Sequence, residues 1–66
     1  MDTIGQRIRA IRKENAMTQK EFCEFICISQ AYLSGVEHDK ATPSKAVIRL
    51  ISLIFEIKES WIITGK

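Results

Sequence analysis

Three sets of side chains in this sequence carry chemical potential. Ser34, His38 and Asp39 supply the residue types of a hydrolase relay. They lie within six positions around one helix end, with no oxyanion-hole or pocket signal beside them, so nucleophilic catalysis is not expected. Cys23 and Cys27 sit four apart, and only His38 could join them. Zinc sites usually need about four ligands, so no metal is expected. Arg7, Arg9, Arg12 and Lys13 cluster early, while Lys40 and Lys45 bracket a later loop. By charge alone such a cluster reads as a solvated surface, and the net charge of +2 permits an anionic partner without requiring one.

Any of these groups must be positioned by a small scaffold. Sixty-six residues are read as one domain spanning 1–66. A chain this short buries about 60% of its unfolded surface, too little for a deep pocket and more suited to binding across a face. An apolar fraction of 45% argues against disorder. The longest apolar stretch, Ala46 to Ile57, is broken by Arg49, Ser52 and Glu56 and is shorter than the roughly 20 residues of a membrane span. Two cysteines and no signal peptide read as reduced thiols in the cytoplasm. No cofactor and no small-molecule substrate is expected.

Apolar spacing predicts five short helices and no strand. Ile4, Ile8 and Ile11 give the first helix, about Thr3 to Asn15, one apolar face, with Asp2 or Thr3 as its cap. Thr18-Gln19-Lys20-Glu21 fits a capping box that opens the second. Ser29 is a second N-cap only eleven residues later, so the two helices are short and meet in a tight corner. Thr42 or Ser44 caps a fourth helix to about Phe55, and a last helix spans about Glu59 to Thr64, stopped by Gly65. The fourth helix is apolar nearly all round, more than one core-facing stripe requires. It either builds a generous core around Trp61 or offers an Ile48/Phe55 face for self-association.

The stretch Thr18-Gln19-Lys20-Glu21-Phe22, the run Ser29-Gln30-Ala31-Tyr32-Leu33-Ser34-Gly35-Val36-Glu37, Pro43-Ser44, and Trp61-Ile62-Ile63-Thr64-Gly65 together resemble the Cro/CI-type (XRE-like) helix-turn-helix family of phage repressors and bacterial regulators. The resemblance runs from about Ile4 to Lys66. It implies an all-α, compact five-helix lambda-repressor-like domain whose helix-turn-helix is formed by helices 2 and 3. The physics of the corner agrees: Phe22, Ile26, Ile28, Leu33 and Val36 fill the slots where the helices face the core. Cys23 takes the small-residue slot that usually holds Ala, and Cys27 takes the turn position that usually holds Gly. Keeping the left-handed geometry at Cys27 costs roughly 1–2 kcal/mol.

The resemblance also implies a double-stranded DNA partner, read in the major groove by the helix that starts at Ser29. Ser29, Gln30, Ala31, Ser34 and Gly35 fall on its outer face. The Gln30 carboxamide can bond adenine N6 and N7 together; Ala31 can meet a thymine methyl; Ser34 can donate or accept; Gly35 permits close approach. Gln19 matches the backbone clamp at a helix N-terminus. His38, Lys40 and Lys45 fall where the family touches phosphate, and Tyr32 either adds a hydroxyl contact or packs at the edge. Asp39 stands where many relatives carry Gly. Arg12 and Glu37 match an ion pair linking the first helix to the recognition helix. The implied activity is sequence-specific binding by a regulator, a repressor acting as a homodimer on a near-palindromic operator, the dimer resting on the apolar C-terminal helices. The alternative is a protein-interaction module, such as an antitoxin or an anti-repressor partner.

Overall fold

The computed structural model describes residues 2–66 and holds five helices: α1 (Ile4–Glu14), α2 (Gln19–Ile26), α3 (Gln30–Glu37), α4 (Lys45–Phe55) and α5 (Glu59–Thr64). No strand occurs among the described residues, and no helix is long and apolar enough to cross a membrane. Side-chain caps explain where the first four begin. Thr3, Thr18, Ser29 and Ser44 each accept a first-turn N–H, which satisfies a donor the helix leaves orphaned. Thr18 and Glu21 close the expected capping box, and Thr3 and Gln6 close a second one. Of the paired candidates, Thr3 rather than Asp2 caps α1, and Ser44 rather than Thr42 caps α4.

Left-handed residues turn the chain between elements. Ala16, Cys27, Asp39 and Glu56 adopt φ of 55–60° without being glycine, and Gly65 ends α5 at φ 82°. Such positions disfavour side chains, so the turns are held by what the helices bury rather than by local preference.

All five helices contribute to one core: Ile8 and Ile11, Phe22, Cys23 and Ile26, Leu33 and Val36, Ile48 and Ile51, and Ile62. Burying each large apolar side chain contributes about 1.5–3 kcal/mol. Phe22 is fully enclosed and stacks on Phe55, ring centroids 5.4 Å apart. The centre of the core is therefore Phe22 and Ile51; Trp61, the expected centre, is half-buried and packs against its edge. The proposed Ile48/Phe55 outer face is also corrected. Ile48 lies in the core and Phe55 is half-buried under Phe22 and Phe25. The exposed apolar residues are Phe25 on α2, Leu50 and Leu53 on α4, and Ile63 on α5.

The early basic cluster is not a surface patch, because its alternate members turn inward. Arg7 is buried and donates from Nε to the Ile62 carbonyl and from Nη2 to that of Ile63, both at 2.8 Å. Arg12 is buried beside Glu37, which leaves Arg9 and Lys13 outside. α1 also lies directly on the backbone at the end of α3: a Cβ added to Gly5 would fall 1.9 Å from the Val36 carbonyl oxygen. Beside this contact Thr3 donates its hydroxyl to Asp39 at 2.6 Å.

Candidate nucleic-acid interface

α2 and α3 meet through Cys27, Ile28 and Ser29. Cys27 sits at φ 60°, ψ 47°, and its N–H closes the last turn of α2 on the Cys23 carbonyl. Ile28 donates to the same oxygen at 3.1 Å. The buried Cys23 thiol points across the corner, its sulfur 3.5 Å from the Ser29 carbonyl. Burial pushes that thiol above its ordinary pKa, as does the nearby Glu37 charge. A larger side chain at 23 would collide with the start of α3, which explains why a small residue occupies it.

The corner decides which face of α3 looks outward. Leu33 and Val36 enter the core, and Glu37 enters the ion pair. Ser29, Gln30 and Ala31 are exposed as expected, while Ser34 and Gly35 are half-buried. Gly35 lies near the loop that follows: its carbonyl accepts from Lys40 and Ala41, and a Cβ there would meet Ala41 at an ordinary 3.5 Å. The outward face is thus concentrated in the first turn of the helix.

Three of the expected backbone-contacting groups follow α3 in the chain. His38, Lys40 and Lys45 are exposed. His38 places Nδ1 2.8 Å from the Ser34 carbonyl at the end of α3. Tyr32 packs at the edge: its hydroxyl accepts the Ser44 N–H at 3.1 Å, which ties α3 to the cap of α4 and leaves the hydroxyl proton free to donate. Asp39 is exposed and accepts the Thr3 hydroxyl. Ser34, His38 and Asp39 are therefore not in relay, since His38 faces a backbone carbonyl and Asp39 a threonine.

Beneath α3 the Arg12–Glu37 pair is bidentate. Arg12 Nε donates to Glu37 Oε2 at 2.7 Å and Nη2 to Oε1 at 3.0 Å. Its Nη1 binds the Met17 carbonyl at 3.0 Å, joining the end of α1 to the start of α2. The Gln19 side chain adds a third donor, Nε2 to Glu37 Oε1 at 3.1 Å, which sequence spacing did not predict. Burial alone would raise the Glu37 pKa. The hydrogen bonds from Arg12 and Gln19, with the charges of Arg12 and Arg9, outweigh it and hold the carboxyl below the usual glutamate range. The hydrogen bond to Glu37 raises the Arg12 pKa in turn.

A tight corner of two short helices, the second presenting its first turn to solvent within an all-α core, defines a helix-turn-helix domain. Residues 8–62 match the helix-turn-helix family model, and the chain belongs to this Cro/CI-type (XRE-like) family. It is 38% identical over 61 residues to the immunity repressor protein of Bacillus phage phi105, an alignment covering 92% of this chain and 42% of the relative. It is 32% identical over 54 residues to the HTH-type transcriptional regulator RamB of Mycobacterium tuberculosis, covering 82% of this chain and 11% of the relative. The chain therefore spans less than half the length of either relative. Its fold matches that of the P22 c2 repressor protein, crystallised with a synthetic operator, over the whole of both chains, with a TM-score of 0.89 at 21% identity.

Proposed function

We propose that this chain is the DNA-binding domain of a transcription regulator, residues 1–66 forming one domain that reads double-stranded DNA through the first turn of α3. The observation that carries this is the division of α3. Leu33, Val36 and Glu37 are locked inward, while Ser29, Gln30 and Ala31 stand free in solvent at the helix N-terminus. A helix anchored on one side and bare at its start suits insertion into a major groove. Gln30 supplies the bidentate donor and acceptor for adenine, Ala31 an apolar contact for thymine, and Ser34 a contact at the rim. Gln19, Tyr32, His38, Lys40 and Lys45 hold flanking phosphates, which set register without reading sequence. The immunity repressor among its relatives favours a repressor, and the proposal places it in the cytoplasm as a homodimer on a near-palindromic operator.

Selection from random duplex DNA at moderate salt tests this. The expected result is an enriched half-site, repeated in inverted orientation, bound with a steep salt dependence. Recovery of no motif would falsify the reading.

A second role, in protein contact, is favoured by one observation. Leu53 is 71% exposed and Phe25 57% exposed, large apolar groups open to a partner. Losing activity through Leu53→Ser, with DNA affinity of the isolated domain unchanged, would support that role.

A further inference from the structure

Glu37 faces two ways, toward Arg12 for stability and toward Gln19, where the DNA backbone is expected. We infer that Glu37 is a positioning residue for phosphate binding: it holds the Gln19 side chain in one place at the start of α2, with one Nε2–H left over for the DNA backbone. The inference rests on the DNA-binding reading above and assigns that function a residue which touches no DNA.

The Glu37 side chain is 2% exposed, so its oxygens find partners only within the protein. Oε1 lies 3.1 Å from the Gln19 carboxamide and 3.0 Å from Arg12 Nη2. A carboxylate oxygen requires a donor. The reversed carboxamide would set two acceptors against each other with no proton between them, so the Gln19 nitrogen must point inward. That nitrogen carries two hydrogens. One is held by Glu37, and the other has no hydrogen-bond partner among the described residues.

Gln19 is also the first residue of α2, an eight-residue helix. Thr18 takes the Glu21 N–H, whereas the Gln19 and Lys20 N–H groups precede the first helical hydrogen bond. A phosphate oxygen seated there meets backbone donors and the remaining Nε2–H together. An unrestrained glutamine side chain would have to be ordered as the phosphate binds, at a cost in rotamer freedom. Glu37 orders it before DNA arrives. Its own negative charge is neutralised by Arg12, so it does not oppose the phosphate.

The test is a double-mutant cycle in DNA affinity, with Gln19→Ala, Glu37→Gln and the double variant. Titrations use a duplex carrying the selected motif and a scrambled duplex at low salt. Gln19→Ala should weaken binding about tenfold on both duplexes, the scale of one charge-assisted hydrogen bond. Glu37→Gln should lose a similar factor when Gln19 is present and less than about twofold when Ala stands there. Equal losses in both backgrounds, or no loss, overturn the proposal while leaving the DNA-binding reading intact. No binding of either duplex by the wild-type chain overturns both.

Should Glu37→Gln fail to fold, the wild-type protein supplies the readout. The Gln19 Nε2 protons, followed by NMR, should titrate with the Glu37 carboxyl in free protein and shift again on adding duplex. Gln19 protons that ignore either the titration or the duplex also overturn it.

Discussion

Two side chains at the corner invite direct test. Cys27 holds a left-handed conformation that costs a non-glycine residue about 1–2 kcal/mol, partly offset because glycine loses more chain entropy on folding. Cys27→Gly should therefore gain about 1 kcal/mol, raising the melting temperature by about 4–8 °C in a domain of this size. A thermal melt that moves down would show that the thiol contributes more than the backbone strain costs. Glu37 makes an opposite demand. Its carboxyl titrates lower in the folded chain than in the unfolded one, so ionisation favours folding. That contribution is complete above the usual glutamate value of about 4.3 and is lost as pH falls through the depressed folded value. Melting temperature should drop along this acid limb, and Glu37→Gln should flatten it from a lower plateau. Arg12→Ala, which strands a buried carboxylate, should cost about 3–5 kcal/mol at neutral pH; a melt like that of the wild type would remove the pair from the stability account.

At the level of elements, α5 depends on one remote side chain. Lys58 gives it no side-chain cap, and it is only six residues long. Arg7 supplies what the local sequence lacks by taking the carbonyls of Ile62 and Ile63 at the helix C-terminus, where a cation is favoured. Arg7→Met should cost about 1–3 kcal/mol and speed amide exchange in α5 ahead of α1 to α3. Uniform loss of protection along the chain would contradict this. The DNA contacts proposed for α3 and for the start of α4 differ in physics. Gln30→Ala should cost about 1–3 kcal/mol on the preferred duplex and relax choice at one base pair. Lys45→Ala should weaken all duplexes alike and lower the salt slope by about one. Binding isotherms across a salt series separate the two.

The same elements show what the sequence made legible. Thr18, Ser29 and the apolar residues one turn apart obey rules acting within a few positions, so α1 to α5 and the corner could be read directly. Ser29, Gln30 and Ala31 follow once the inward slots of Leu33 and Val36 are known. The Arg7 clamp could not be read, because its partners lie 55 and 56 positions away and are backbone carbonyls, which every residue has. Thr3–Asp39 and Gln19–Glu37 were hidden for a related reason, each joining polar residues of common type across 36 and 18 positions. α4 misled because apolar residues also stand outside its buried stripe, beside Lys45 and Arg49. Packing chose Ile48 and Ile51 for the core and left Leu50 and Leu53 outside.

As a whole the molecule measures 27 × 24 × 21 Å, smaller in every direction than the roughly 34–36 Å between adjacent half-sites on one face of a duplex. Two copies therefore fit side by side without collision, and any contact between them is confined to their facing edges. Cooperativity should depend on half-site spacing, and inserting five base pairs, about half a helical turn, should abolish it while leaving each half-site's own affinity unchanged. Equal cooperativity at both spacings would rule out a protein–protein contact along the duplex.

The close seat of α1 on α3 has a genetic consequence. An added side chain at position 5 would press on the Val36 carbonyl and force α1 and α3 apart. If the protein represses through Gln30 as proposed, a loss-of-repression screen would recover missense alleles at Gly5 alongside those at Gln30. Cellular protein level distinguishes them: the Gly5 alleles deplete the protein, whereas the Gln30 alleles leave a folded protein that no longer recognises its site.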